Sequence, residues 1–209
     1  MAFKDELPRP VVAAFDFDGT ITYRDSLLLF LFFTSGIGKS LACLLLSAPT
    51  LLRFVLGRIG NQSAKEALLT RFFSGMESAT LDELGVRFAK HKLPQLLRPS
   101  AVARLRWHQQ QGHYCVLVSA SPEVYLNPWG KEMGFDAVIC SRLEYDSGHR
   151  VTGRLAGDNC RGMEKVRRLR EQVGHPTELY AYGDSRGDRE LLAIADHAYY
   201  QHMPQPGEL

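Results

Sequence analysis

The sequence predicts an α/β protein, a parallel sheet with helices on both faces, broken after its first strand by an all-helical insertion. Three observations carry this. Short apolar runs recur along the chain and alternate with segments of helical periodicity, the pattern of a sheet built from crossover units. Two of the runs end in glycine-bounded acidic loops, Asp16-Phe17-Asp18-Gly19-Thr20 and Gly183-Asp184-Ser185-Arg186-Gly187-Asp188. Between residues 26 and 97 no convincing strand candidate interrupts the helical pattern.

Val11 to Phe15 is the first central strand, and Gly19 lets the chain turn at once after it. In the insertion, Asn61-Gln62-Ser63 is expected to cap a helix over 64–73, and Thr80 to Glu83 reads as a capping box opening another. Residues 100–111 form a helix that Gly112 ends. Tyr114 to Val118 is a continuous apolar run, as a strand covered on both faces requires. Residues 122–131 start as a helix that becomes irregular near Pro128. Ala137 to Cys140 is a third strand, and residues 143–155 form a hairpin centred on Asp146 to His149. A helix over 162–173, a strand over 179–182, a short helix over 188–195 and a strand over 198–200 complete the chain. The expected division is a discontinuous core, 1–24 with 98–209, and a helical cap, 25–97.

The chain of 209 residues suffices for one core plus a small accessory unit. Its net charge of +2 is too small for a nucleic-acid surface. The four cysteines show no CxxC pairing, and Cys115 and Cys140 read as buried thiols, so a reducing cytoplasm is expected. The mixed charges at the N-terminus do not read as a signal peptide. Leu27 to Phe33 and Leu41 to Leu56 are strongly apolar, separated by Gly36, Gly38 and Lys39, with Pro49 and Arg53 inside the second. Neither run reaches the roughly 18 uninterrupted apolar residues of a membrane span. They read either as a buried helical hairpin or as a lid that meets a lipid surface.

Asp16 and Asp18 leave a strand two residues apart and on the same side. Two carboxylates aimed at one point repel unless a hard divalent cation holds them. Ligands in parallel sheets gather at the carboxyl ends of strands, so Asp16, Asp184 and Asp188 are expected to meet around one ion.

DFDGT, then a strand ending in Ser119-Ala120-Ser121, then a lysine-bearing helix, then GDSxxD, resembles the haloacid dehalogenase (HAD) superfamily in order and spacing. Within it the chain is similar to the phosphoserine-phosphatase-like branch, subfamily IB, including the phosphatidylglycerophosphatase C type. Residues 159–165 and the helical insert carry that closer likeness. The resemblance implies a HAD-like Rossmannoid core and a Mg²⁺-dependent phosphomonoester hydrolase. Asp16 is then the nucleophile and forms an aspartyl-phosphate. Asp18 is the general acid and then the general base, with its backbone carbonyl on the metal. Asp184 is a further ligand, and Asp188 acts through a metal-bound water or orients the lysine. Few carboxylates plus waters and phosphate oxygens suit Mg²⁺ better than Ca²⁺ or Zn²⁺.

Ser119 would donate to a phosphate oxygen, with the Ala120 and Ser121 N–H groups completing the anion site near a helix start. The branch places its lysine directly before a glycine. Here Arg161 occupies that place, before Gly162, and Lys165 follows one turn later. Lys165 is the expected counter-charge, with Arg161 the alternative. Asp25 is either a substrate contact or a helix cap, and Arg71 either meets a substrate anion or sits on a helix face. The substrate class is a small phosphomonoester or a phospholipid headgroup. A phosphoryl-transferring mutase and a non-catalytic phospho-acceptor module are the rival readings.

Overall fold

The computed structural model describes residues 11–204. The expectations placed on the first ten residues lie outside that range. Chain order is β1 (Val11–Phe15), α1 (Ser26–Val55), α2 (Asn61–Phe73), α3 (Ser78–His91), α4 (Pro99–Gln110), β2 (Tyr114–Pro122), α5 (Glu123–Glu132) and β3 (Ala137–Ser141). There follow β4 (Leu143–Tyr145), β5 (Val151–Leu155), α6 (Met163–Val173), β6 (Glu178–Gly183), α7 (Arg189–Ala193) and β7 (His197–Tyr200).

β1 is central because its side chains are apolar on both faces. Val12 and Ala14 enter one core, Ala13 and Phe15 the other, and all four are fully buried. The sheet is parallel in the order β3-β2-β1-β6-β7. Val166 and Leu169 of α6 with Leu191 of α7 cover one face, and Leu105 of α4 with Trp129 of α5 cover the other. β4 and β5 pair antiparallel as the expected hairpin, with Asp146 Oδ1 accepting from the N–H groups of Gly148 and Arg150 in the turn. The α/β reading, the strand positions and the helical insertion all stand.

Several local expectations are corrected. α2 begins at Asn61 itself, with Gly60 as an N-cap that has no side chain to offer. α3 begins at Ser78, so Thr80 lies inside the helix and forms no capping box. Pro128 does not break α5. Its missing N–H leaves the Val124 carbonyl without its helical donor, and α3 packs there. A β-carbon at Gly85 would stand 2.1 Å from that oxygen, so only glycine permits the approach that seats α3 on α5. β2 runs to Pro122, and its pairing with β3 shifts register between Val118 and Pro122. Ser119 to Ser121 therefore belong to an irregular strand end that leads directly into α5, which starts at Glu123, as the expected helix start nearby requires. Such an irregularity re-aims side chains.

The two apolar runs form α1 as two helical segments that meet at Gly36, where the backbone is not helical (φ 72°, ψ 167°). Before the kink, Phe30 and Leu31 are fully buried, and Phe30 packs on Phe73, Phe88 and Tyr125. After it, the buried-hairpin expectation fails. Ser40, Cys43 and Ser47 face inward, while Ile37, Leu41, Leu45 and Leu52 face out. By length and composition α1 is apolar enough to cross a membrane, with a mean hydropathy of 1.8 and only 28% of that stretch buried.

Candidate active site

β1 and β6 lie side by side, so the loops that follow them converge. The Asp16 N–H donates to the Tyr182 carbonyl at 2.9 Å, extending the ladder one residue past β1. The chain then turns tightly, the N–H groups of Thr20, Ile21 and Thr22 all donating to the Phe17 carbonyl. This holds Thr20 Oγ1 at 3.2 Å from Asp16 Oδ2 and 3.5 Å from Asp184 Oδ1. Asp188 sits in a helical turn over Arg186–Asp188, and its Oδ2 accepts from Ser185 N and Oγ at 3.0 and 2.7 Å. Gly162 N donates to the Gly187 carbonyl at 2.9 Å, tying the start of α6 to this loop.

Lys165 comes from α6 and is only 2% exposed. Its Nζ donates to Asp16 Oδ1 at 2.5 Å and to Asp188 Oδ1 at 2.6 Å. Asp16, Asp184 and Asp188 each offer a carboxylate oxygen, and these atoms lie within 4.8 Å of one another. Burial, with Asp188 and Asp18 nearby, pushes Asp16 up to about 7, against the pull of Lys165. Burial likewise raises Asp184. Lys165 and Ser185 hold Asp188 below the ordinary carboxylate range despite its burial. Its two carboxylate neighbours push Lys165 up, although burial opposes this. Three carboxylates against one ammonium leave a formal charge of two negatives, and all three offer hard oxygen donors. A divalent cation of the Mg²⁺ type fits that donor set.

Asp18 takes a different direction from Asp16. Its carboxylate accepts from Ser26 N at 2.6 Å and from Ser121 Oγ at 2.5 Å, and it stands outside the three-acid cluster. Burial, helped by Asp25, pushes it up to about 6, while the Ser121 and Ser26 bonds hold it back. Ser119 is buried beside it, but its Oγ accepts the Ser121 N–H at 3.0 Å. That N–H is thus bonded within the loop, while Ser119, Ala120 and Ser121 all line the cavity. Asp25 caps α1, accepting from Leu28 N at 3.0 Å, and also borders the cavity. Arg161 borders the cavity too, whereas the acids hold Lys165.

Arg71 is another correction. It is exposed in the last turn of α2, where its Nη2 donates to the Leu46 carbonyl at 3.5 Å, and it does not line the cavity. The residue that α2 does send into the site is Lys65. Its Nζ donates to the Ala120 carbonyl and to Asn159 Oδ1, both at 2.7 Å, joining the insertion to β2 and to the loop before α6. Burial lowers it to about 8. The signal in the sequence was the i, i+4 row Asn61, Lys65, Leu69 and Phe73, whose last two members are buried and whose first two line the cavity. The cavity holds about 430 Å³ and reaches from the acids to Asp25 and Tyr23.

A β1 nucleophile candidate, a second acid two residues on and a lysine-bridged acid pair form the constellation of one large class of hydrolases. The model of the haloacid dehalogenase-like hydrolase family matches residues 13–193, and the chain belongs to that family. It is similar to the protein CicA of Caulobacter vibrioides, with 40% identity across 92% of this chain and 86% of CicA. It is 29% identical, over 91% of its length and 69% of the other's, to a probable phosphatase, Rv3661, of Mycobacterium tuberculosis. A substrate-bound phosphoserine phosphatase structure shares the fold at a TM-score of 0.64 and 13% identity, covering 93% of this chain and 87% of that one.

Proposed function

We propose that the chain is a phosphatase that hydrolyses phosphomonoesters through an aspartyl-phosphate on Asp16. The observation that carries this reading is the Lys165 ammonium held between Asp16 and Asp188, with Asp184 completing an acid cluster at the carboxyl ends of β1 and β6. Asp16, Asp184, Asp188 and the Asp18 carbonyl would hold Mg²⁺, which when bound offsets charge on the phosphoryl oxygens and on the attacking carboxylate.

Each step follows from the chain's own groups. An Asp16 oxygen attacks phosphorus while the ester oxygen leaves. Asp18, on its separate hydrogen-bonded perch, gives that oxygen a proton. Asp18, now a carboxylate, takes a proton from the water that attacks phospho-Asp16, which restores Asp16 and releases inorganic phosphate. Lys165 keeps Asp16 oriented and offsets the negative charge that builds on the transferred group. Ser119 contacts the phosphoryl group.

The substrate is a phosphorylated small molecule or a phospholipid headgroup. Asp25, Arg161 and Lys65 border the space its leaving group would fill. We keep residues 25–97 as a cap over a core formed by 1–24 and 98–209. Its seating through Gly85 and Lys65 supports a lid that excludes water. The four unpaired, buried cysteines fit the cytoplasm.

The test is Mg²⁺-dependent release of phosphate from p-nitrophenyl phosphate. Asp16→Asn is expected to abolish it, and retained turnover in that variant would remove Asp16 as the nucleophile. A stable phospho-protein without turnover in the wild type would favour the phospho-acceptor reading instead.

A further inference from the structure

The geometry points to the outward face of α1 beyond Gly36 as a docking surface for an anionic lipid bilayer. This segment is packed inside out. Ser40, Cys43 and Ser47 are buried, while Ile37, Leu41, Leu45, Leu52 and Leu56 are between 51% and 74% exposed. These five recur at helical spacing and so form one apolar stripe. Val55, 78% exposed, widens it. A solvated helix has no use for such a face, and contiguous exposed apolar surface marks an interaction site.

Charge decides the occupant. From Ser26 to Lys65 there is no acidic residue, while Lys39, Arg53 and Arg58 are all basic and exposed. The whole chain carries only +2, so this positive charge is a local feature. A second copy of the same face would bring its basic residues against their own kind, which disfavours self-association. A bilayer rich in anionic headgroups satisfies both the stripe and its basic flank. Geometry decides the mode. The inner side of the segment lies on α2, where Cys43 Sγ reaches the Arg71 carbonyl at 3.8 Å and Arg71 Nη2 reaches the Leu46 carbonyl at 3.5 Å. With one side held by protein, the helix lies along the membrane surface rather than crossing it.

Docking surface and site are joined through α1, whose cap Asp25 and first-turn Leu27 line the cavity. The surface itself does not depend on the phosphatase reading.

Co-sedimentation of the full chain with vesicles tests it, using phosphatidylcholine alone and a three-to-one mixture with phosphatidylglycerol. The wild type is expected to bind the anionic vesicles more tightly, and less so at high salt. The combined change Leu41→Gln, Leu45→Gln and Leu52→Gln is expected to weaken partitioning by more than about tenfold. Hydrolysis of a soluble aryl phosphate should be unchanged in that variant, and Asp16→Asn should still bind vesicles. Leu45→Cys labelled with an environment-sensitive dye gives a reading that needs no disruptive change, its emission shifting blue on anionic vesicles. An unshifted dye with no vesicle binding overturns the proposal. So does a wild-type dimer that the three glutamines convert to monomer, or a chain that resists alkaline carbonate extraction as a spanning protein does.

Discussion

Gly19 and Asp184 touch so closely that any side chain at position 19 would have to displace the Asp184 carboxylate. A β-carbon on Gly19 would stand 2.1 Å from Asp184 Oδ2, and φ at Gly19 is +80°. One contact thus locks the loop after β1 to the loop after β6. Gly19→Ala is expected to push the Asp184 carboxylate out of the acid cluster. It should cost about 1–3 kcal/mol in stability from the backbone conformation alone. Phosphate release should fall by about two orders of magnitude if Asp184 holds the ion as proposed. Thermal unfolding and turnover, measured together, check this. Wild-type turnover in the alanine variant would show that Asp184 is dispensable.

Lys165 is a buried cation between two carboxylates. Lys165→Met leaves Asp16 and Asp188 facing each other without it, which is expected to cost about 3–5 kcal/mol. Added Mg²⁺ should raise the melting temperature of this variant more than that of the wild type, since the ion then answers a larger uncompensated charge. Melting curves with and without Mg²⁺ decide the matter. An equal rise in both proteins would place the ion away from Asp16 and Asp188.

Lys65 supplies a pH dependence. Burial lowers its pKa to about 8 from 10.5. Its ammonium therefore loses its proton as pH rises through about 8, well before a solvated lysine does. The kcat/KM for a phosphomonoester is expected to fall above pH 8 in the wild type. Lys65→Arg, which keeps its charge, should remove that limb. A pH profile from 6 to 9.5 for both proteins is the measurement. Superimposable profiles would separate Lys65 from substrate binding.

What the sequence could reveal was set by local physics. Asp16 and Asp184 were legible because each follows an apolar strand and meets a glycine, so backbone direction alone sent them to one edge of the sheet. Lys65 was not, because its partners Ala120 and Asn159 are 55 and 94 residues away in sequence. Arg71, six residues later, carries the same charge and points elsewhere, a difference that only the packing of α2 on α1 decides. α5 continues through Pro128, and α3 comes close to the freed Val124 carbonyl at Gly85, a tertiary approach that the local rule does not contain. The apolar run from Leu41 to Leu56 was legible, but which of its leucines face outward was not, because that depends on how α1 packs on α2.

His108 is expected to make the stability of the core depend on acid. It is fully buried, with Nε2 at 2.8 Å from the Tyr182 hydroxyl and Nδ1 at 2.8 Å from His113 Nδ1. Arg104 Nε donates to the same Tyr182 hydroxyl at 2.7 Å. The hydroxyl then donates to His108 Nε2, and His108 donates from Nδ1 to His113, an order that satisfies both imidazole nitrogens and the hydroxyl with a neutral His108. Burial, with the Arg104 charge, lowers His108 from 6.5 to about 3. As pH falls below 6.5 the unfolded chain takes up a proton that the folded one refuses, so stability is present above that value and is lost toward pH 3. The loss is about 1.4 kcal/mol per pH unit at most, or about 2 kcal/mol between neutrality and pH 5. Tyr182 lies in β6 beside Phe15 of β1, with the rings stacked at 4.4 Å, so the strands that carry Asp184 and Asp16 share this stress. His108→Gln is expected to lower stability at pH 7 and to flatten its decline toward pH 5. Denaturant unfolding of both proteins at those two pH values measures the slopes, and equal slopes would show that His108 titrates normally in the folded chain.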